Sequence, residues 1–167
     1  GENAEVDTDI RLNFLEDLNA AVCGEYNEWE GSPRGQLALI VLLDQFSRHI
    51  HRQTPSAYSQ DTMAVRVCLS GIEKGFDHQL SLIERVFFYF PLLHSEDKIL
   101  QEKSVKSYTL LSELAFAETR VIFDSFVKFA NHHFSVIDKF GRFPQRNILL
   151  QRTVTPQEQN YLNEVQE

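Results

Sequence analysis

Three short stretches of this sequence hold the residue types from which chemistry is made. In L-L-D-Q-F-S-R-H, residues 42 to 49, Asp44 and Arg48 lie four apart. On a helix that spacing puts carboxylate and guanidinium side by side and continues the stripe begun by Leu37 and Val41. A buried pair of this kind is a weak stability device unless further donors complete it, so it reads either as a structural lock or as part of a site. Gln45 and His49 are near enough on the same helix to join either version. His49 and His51 diverge on a helix and make a poor metal pair.

The second stretch, V-F-F-Y-F-P-L-L-H-S-E-D, covers residues 86 to 97. Ser95 is the expected cap of the next helix, and Glu96 and Asp97 suit its first turn, where negative charge meets the helix dipole. Capping gives no role to His94. An imidazole beside a carboxylate is a general acid or base, and His94 with Glu96 is the catalytic candidate. No H-E-x-x-H, G-x-S-x-G or phosphate-loop glycine pattern accompanies it.

The third stretch, K-F-G-R-F-P-Q-R-N, covers residues 139 to 147. Gly141 is expected at positive φ and Pro144 stiffens the turn, so Arg142 and Arg146 are held rigidly. Such arginines bind carboxylate or phosphate through two oxygens at once, or clamp helix ends that carry acids. With Asn147 and the first two stretches, they make one candidate ligand-binding set: Asp44, Gln45, Arg48, Asp97, Arg142, Arg146 and Asn147. His132 and His133 read as one buried and one exposed helix position, and no metal or cofactor is expected.

The elements that must position these residues are helical. Ile10, Phe14, Leu18, Ala21 and Val22 mark one face of a first helix stopping near Gly24. Ser32-Pro33 and Thr54-Pro55 are helix starts, and Leu37 to Leu43 is apolar all round, which makes that helix central. Ser81 to Glu84 is a capping box opening a short core helix that should stop at Pro91. Ser95 should start the next helix, and a long one runs from Thr119 to Phe140 with Gly141 as its stop. Thr155-Pro156-Gln157-Glu158 opens a terminal helix. About seven helices with short loops predict a single all-α domain over residues 1–167, built of antiparallel pairs.

Composition agrees. Hydrophobic residues make up 43% and charged residues 24% of 167 positions, which suits a folded globular domain. The net charge of −8 opposes generic attraction to nucleic acid or anionic membrane. That total conceals a gradient: residues 1–34 carry a net of −7, whereas residues 119–152 carry +4, enough to hold a small anion. Cys23 and Cys68 have no C-x-x-C spacing and read as reduced core thiols. No secretory signal or bilayer-length apolar run is present, so the expected address is cytoplasmic.

Taken in order and spacing, L-A-L-I-V-L-L-D-Q-F-S-R, F-P-L-L-H-S-E-D and F-G-R-F-P-Q-R-N followed by L-Q-R-T-V-T-P-Q-E resemble the bacterial family called domain of unknown function 924, across about residues 8–162. The resemblance implies a tetratricopeptide-like helical superhelix and brings no established activity. Ser47, His49, Gln145 and Gln151 stand where such proteins usually have proline, asparagine, histidine and glycine. The family's aromatic opening is absent before Asp7, so the chain is expected to lack that first helix, with residues 1–7 poorly ordered.

Three functions remain open at this level. The first is binding of a small anionic ligand or an acidic peptide end in one polar cleft. The second is a hydrolase or lyase using His94 as acid or base. The third is a protein-interaction module whose polar motifs only lock the helices together.

Overall fold

The computed structural model describes residues 4–166, and among them there are helices and connecting turns but no strand. The expectation of poor order at residues 1–7 falls partly outside the described residues; from Ala4 the chain is helical. The helices are α1 (Ala4–Cys23), α2 (Pro33–Ile40), α3 (Ser47–Ile50), α4 (Asp61–Glu73), α5 (Leu82–Phe88), α6 (Phe90–His94), α7 (Lys98–Leu114), α8 (Arg120–Phe140) and α9 (Pro156–Gln166). A π-helical turn, Val41–Phe46, joins α2 to α3 without a break, and only Tyr89 separates α5 from α6. Counted as one helical run each, these pairs leave seven helical runs among the described residues, the number expected from the sequence.

Local chemistry explains most of the ends. Ser32 Oγ accepts the Gly35 amide at 3.2 Å with Pro33 behind it, starting α2. Ser81 and Glu84 form the expected reciprocal capping box. Gly141 ends α8 at φ +68°, a conformation that a β-carbon disfavours.

Three starts and stops differ from the sequence reading. Thr54-Pro55 opens only a 3₁₀ turn, Pro55–Tyr58, and α4 begins later at Asp61. Pro91 does not stop a helix; it sits in the first turn of α6, where its missing amide hydrogen is not needed. Asp97, not Ser95, caps α7: its Oδ1 accepts the Ile99 and Leu100 amides at 2.7 and 3.1 Å. Ser95 is one step earlier, its Oγ accepting the Asp97 amide at 3.1 Å.

The core lies where α2 and the π turn pass between α1, α4 and α5, with Leu39, Ile40, Leu43, Val67, Val86 and Phe88 fully enclosed. Cys68 is buried there, whereas Cys23 is exposed, so only one of the two thiols is a core residue. The connection Ala115–Thr119 folds α8 back along α7, the most extensive helix pair. A small second cluster of Val136, Ile137 and Phe143, with Phe140 and Tyr161 against it, ties α8 to α9.

One buried amide fixes the helix end that carries His94. Gln101 on α7 donates to the Leu93 and Ser95 carbonyls at 2.6 and 2.7 Å, satisfying the C-terminal carbonyls that α6 leaves open. That bond holds the backbone on both sides of His94. No described helix is long and apolar enough to cross a membrane.

Candidate functional site

The site begins with Asp44 inside the π turn, a local widening of the helix that recurs at functional positions. Its side chain has no exposed surface. His94, at the end of α6, places Nδ1 2.8 Å from Oδ1 and 2.9 Å from Oδ2. Arg48 Nη2 donates to Oδ1 at 3.2 Å, and the Gln45 amide donates to Oδ2. Burial alone would push this carboxyl up. The His94 ring and the Arg48 guanidinium beside it, with the hydrogen bonds from His94 and Gln45, win, and hold it well below the usual carboxylate range. An ionised Asp44 can only accept, so His94 donates through Nδ1–H and turns Nε2 away from Asp44 as the ring nitrogen left for another partner. The His94 ring lies flat on Phe90, centroids 5.5 Å apart, which restricts its rotation.

A second carboxylate, Asp61 at the start of α4, joins the two arginines. Its Oδ1 accepts from Arg48 Nη2 at 2.9 Å and its Oδ2 from Arg146 Nη1 at 3.1 Å. Burial raises the Asp61 carboxyl, and the two guanidinium groups offset this only in part. Tyr58 presents its ring to both cations, with centroids 5.2 Å from Arg48 Cζ and 4.6 Å from Arg146 Cζ. Arg146 also lies 4.6 Å from the Phe143 centroid and donates through Nη2 to the His94 carbonyl at 2.8 Å. Arg48 meets both its acids through Nη2 alone, and its buried Nε has no hydrogen-bond partner.

Two clefts open beside this cluster. The smaller, about 220 Å³, is lined by Arg48, Tyr58, His94, His133, Phe143, Gln145 and Arg146. The larger, about 660 Å³, shares Tyr58, His94 and Arg146 and extends past Asp61, Ser95, Glu96, Asp97 and Arg152. His133 from α8 donates Nδ1–H to the Phe129 carbonyl at 2.9 Å. Burial lowers its imidazole to about 4, against the pull of that carbonyl, and it stays neutral at neutral pH.

The structure thus brings Asp44, Arg48, His94 and Arg146 into one cluster, with Glu96 and Asp97 on the rim of the larger cleft. The other predicted residues are placed differently. Glu96 accepts the Phe143 amide at 2.9 Å and pairs with Arg152 at 2.8 Å, so it fastens the 142–152 loop to the end of α6. Asp97 uses its carboxylate on the α7 amides. Gln45 touches Asp44 but lines a separate apolar groove with Leu37, Val41, Phe46, Ile83 and Phe87. Arg142 lines neither cleft: it grips Glu158 through Nε and Nη2 and donates to the Thr153 carbonyl at 2.8 Å. Its stiff presentation serves the clamp on α9. Asn147 is fully buried beneath the same loop and reaches neither cleft.

Sequence reasoning passed over Tyr58 and Asp61, assigned to an ordinary helix, and Arg152 and Gln101; Glu158, read as the acid of a capping box with Thr155, makes those bonds and also holds Arg142. His49 proved to belong elsewhere, pairing with Asp7 of α1 at 2.8 Å next to Arg52. A usable signal existed for Asp61: an acid just after a proline turn and an aromatic residue, with unpaired arginines elsewhere to satisfy. Among the described residues no group of histidine, cysteine and acidic side chains has the arrangement to hold a metal ion.

Comparison with known proteins agrees with this architecture. A family model described as "Bacterial protein of unknown function (DUF924)" matches residues 1–166. A solved structure of a protein of unknown function from Agrobacterium tumefaciens superposes with a TM-score of 0.85 at 33% identity, covering 98% of this chain and 87% of that one. No curated protein matches. The chain belongs to the bacterial DUF924 family of proteins of unknown function.

Proposed function

We propose that this protein binds a small anionic molecule, carrying a carboxylate or phosphate, in the 220 Å³ cleft beside Arg48 and Arg146. One observation carries the reading. Two arginines, two histidines, a tyrosine and a glutamine line that cleft, and no acid does. Of the acids that balance the arginines, Asp44 is enclosed behind Arg48 and Asp61 faces the larger cleft, and together they hold the guanidinium planes in place. Each guanidinium carries five N–H donors, and Arg48 commits only Nη2 to the protein, so donors remain for a ligand. The volume suits a headgroup-sized anion, and the adjoining 660 Å³ cleft gives room for the rest of the molecule.

The test is thermal unfolding in the presence of millimolar inorganic phosphate, succinate and glutarate. A ligand that binds only the folded state raises the midpoint in proportion to the logarithm of its concentration. Gln145 is exposed at the cleft mouth, so Gln145→Glu adds an acid to the lining without disturbing the core. At least one of the anions should raise the midpoint of the wild type and not that of the variant. Equal midpoints with and without all three would remove the reading.

A further inference from the structure

We infer that His94 is a proton-transfer catalyst poised at the junction of the two clefts, and that the substrate is an ester bearing a carboxylate at its other end. This rests on the anion-binding reading for the position of that carboxylate.

Three observations converge. His94 has Nδ1 tied to a fully buried carboxylate and its ring laid on Phe90, so both tautomer and orientation are set before any substrate arrives. Its Nε2 makes no hydrogen bond among the described residues. His94 is also one of three residues that line both clefts, the others being Tyr58 and Arg146. A molecule with its anionic end at Arg48 and its remaining portion in the larger cleft therefore passes His94 at its middle. A structural lock needs a donor to Asp44, and any amide would serve; it does not need an imidazole with its second nitrogen left open at such a junction.

The chemistry that fits is hydrolysis by water. Nε2 takes a proton from a water molecule as the water oxygen forms a bond to the ester carbonyl carbon. The tetrahedral oxyanion develops beside the Arg146 guanidinium, which supplies positive charge without rearrangement. When the carbon to alkoxy-oxygen bond breaks, His94 returns its proton to the departing oxygen. The products are an alcohol and a new carboxylic acid that releases its remaining water-derived proton to solvent, leaving a dicarboxylate, and the imidazole is restored neutral. Asp44 stays ionised throughout and acts through His94 by fixing its orientation, as a positioning residue.

The experiment uses the full chain with mono-4-nitrophenyl glutarate, which carries a free carboxylate, and with 4-nitrophenyl butyrate, which does not. The expected result is release of nitrophenolate from the glutarate ester at least about tenfold faster than from the butyrate, with a His94→Gln loss of about a hundredfold or more. The midpoint shift of the wild type with phosphate or glutarate reads binding separately from the release of nitrophenolate. A variant within about twofold of wild type, or a wild type that does not hydrolyse the glutarate ester above buffer, overturns the proton-transfer role while leaving the binding reading intact. If no anion shifts the wild-type midpoint, the binding reading fails instead. Should His94→Gln not fold, the wild type decides: a solvent deuterium effect of about twofold supports general-base transfer, and a rate equal in both solvents overturns it.

Discussion

Both oxygens of Asp44 lie within hydrogen-bond reach of His94 Nδ1, at 2.8 and 2.9 Å, although the two residues are fifty positions apart in the chain. The contact joins the π turn to the end of α6, and Arg48 closes it from the same rod as Asp44. Because Asp44 is fully enclosed, removing its charge leaves Arg48 with a reduced set of partners in a part-buried setting. Asp44→Asn is expected to cost about 3 kcal/mol, the lower end of what breaking a buried pair costs, read from urea unfolding. Asp138→Asn, which breaks the exposed Lys98–Asp138 pair, should leave the midpoint unchanged. Equal effects from the two would mean that Asp44 is better hydrated than its burial indicates.

The start of α7 separates two neighbouring residues that look equally suited to capping. Asp97 Oδ1 accepts from two amides, while Ser95 Oγ accepts only the Asp97 amide. Asp97→Ala is therefore expected to lose about 1 kcal/mol. Ser95→Ala should lose less than half of that, again by urea unfolding. The reverse order would restore serine as the effective cap.

The caps at Ser32, Ser81 and Gly141 and the Asp44–Arg48 pairing were legible because each rests on residues within four positions of one another. The Asp44–His94 contact spans 50 positions and the Arg146–Asp61 contact 85, so helix packing alone creates them. Arg142 and Arg146 looked equivalent in K-F-G-R-F-P-Q-R-N. The left-handed turn at Gly141 and the 3₁₀ turn at Pro144 send one to Glu158 and the other to Asp61. Ser95 was mistaken for the cap because Ser and Asp both serve there, and local pattern cannot tell which of them the chain turns inward.

Gly71 marks a close approach inside the core. A β-carbon there would collide with the Gln36 side chain and lie 2.5 Å from Phe88 Cζ, both enclosed groups with nowhere to retreat. Gly71→Ala should destabilise by about 1–3 kcal/mol through overpacking, despite alanine's better helix propensity. Gly31→Ala, where no atom lies within 4 Å, should stay within about 0.5 kcal/mol of wild type. A neutral Gly71→Ala would show that Gln36 can swing away from α4.

His133 predicts how stability responds to mild acid. Its imidazole is held neutral by burial down to about 4, against 6.5 for a free histidine. Between those values the unfolded chain binds a proton that the fold refuses, so stability falls as pH falls through this window. For one proton the slope reaches at most about 1.4 kcal/mol per pH unit. His51, also lowered by burial, adds in the same direction, while Asp61, whose carboxyl is raised, opposes it at the acid end. The lowered carboxylates act in a more acidic range: Asp7, held down to about 2 by Arg52 and His49, loses its contribution as pH drops below the ordinary carboxylate range. Urea unfolding of wild type at pH 7, 6 and 5 should show the decline before those acids titrate. His133→Phe keeps the ring packing against Phe129 and Phe143 but removes the proton site. Its stability should fall less steeply over the same interval, and parallel slopes would mean that His133 takes up its proton as readily in the fold as outside it.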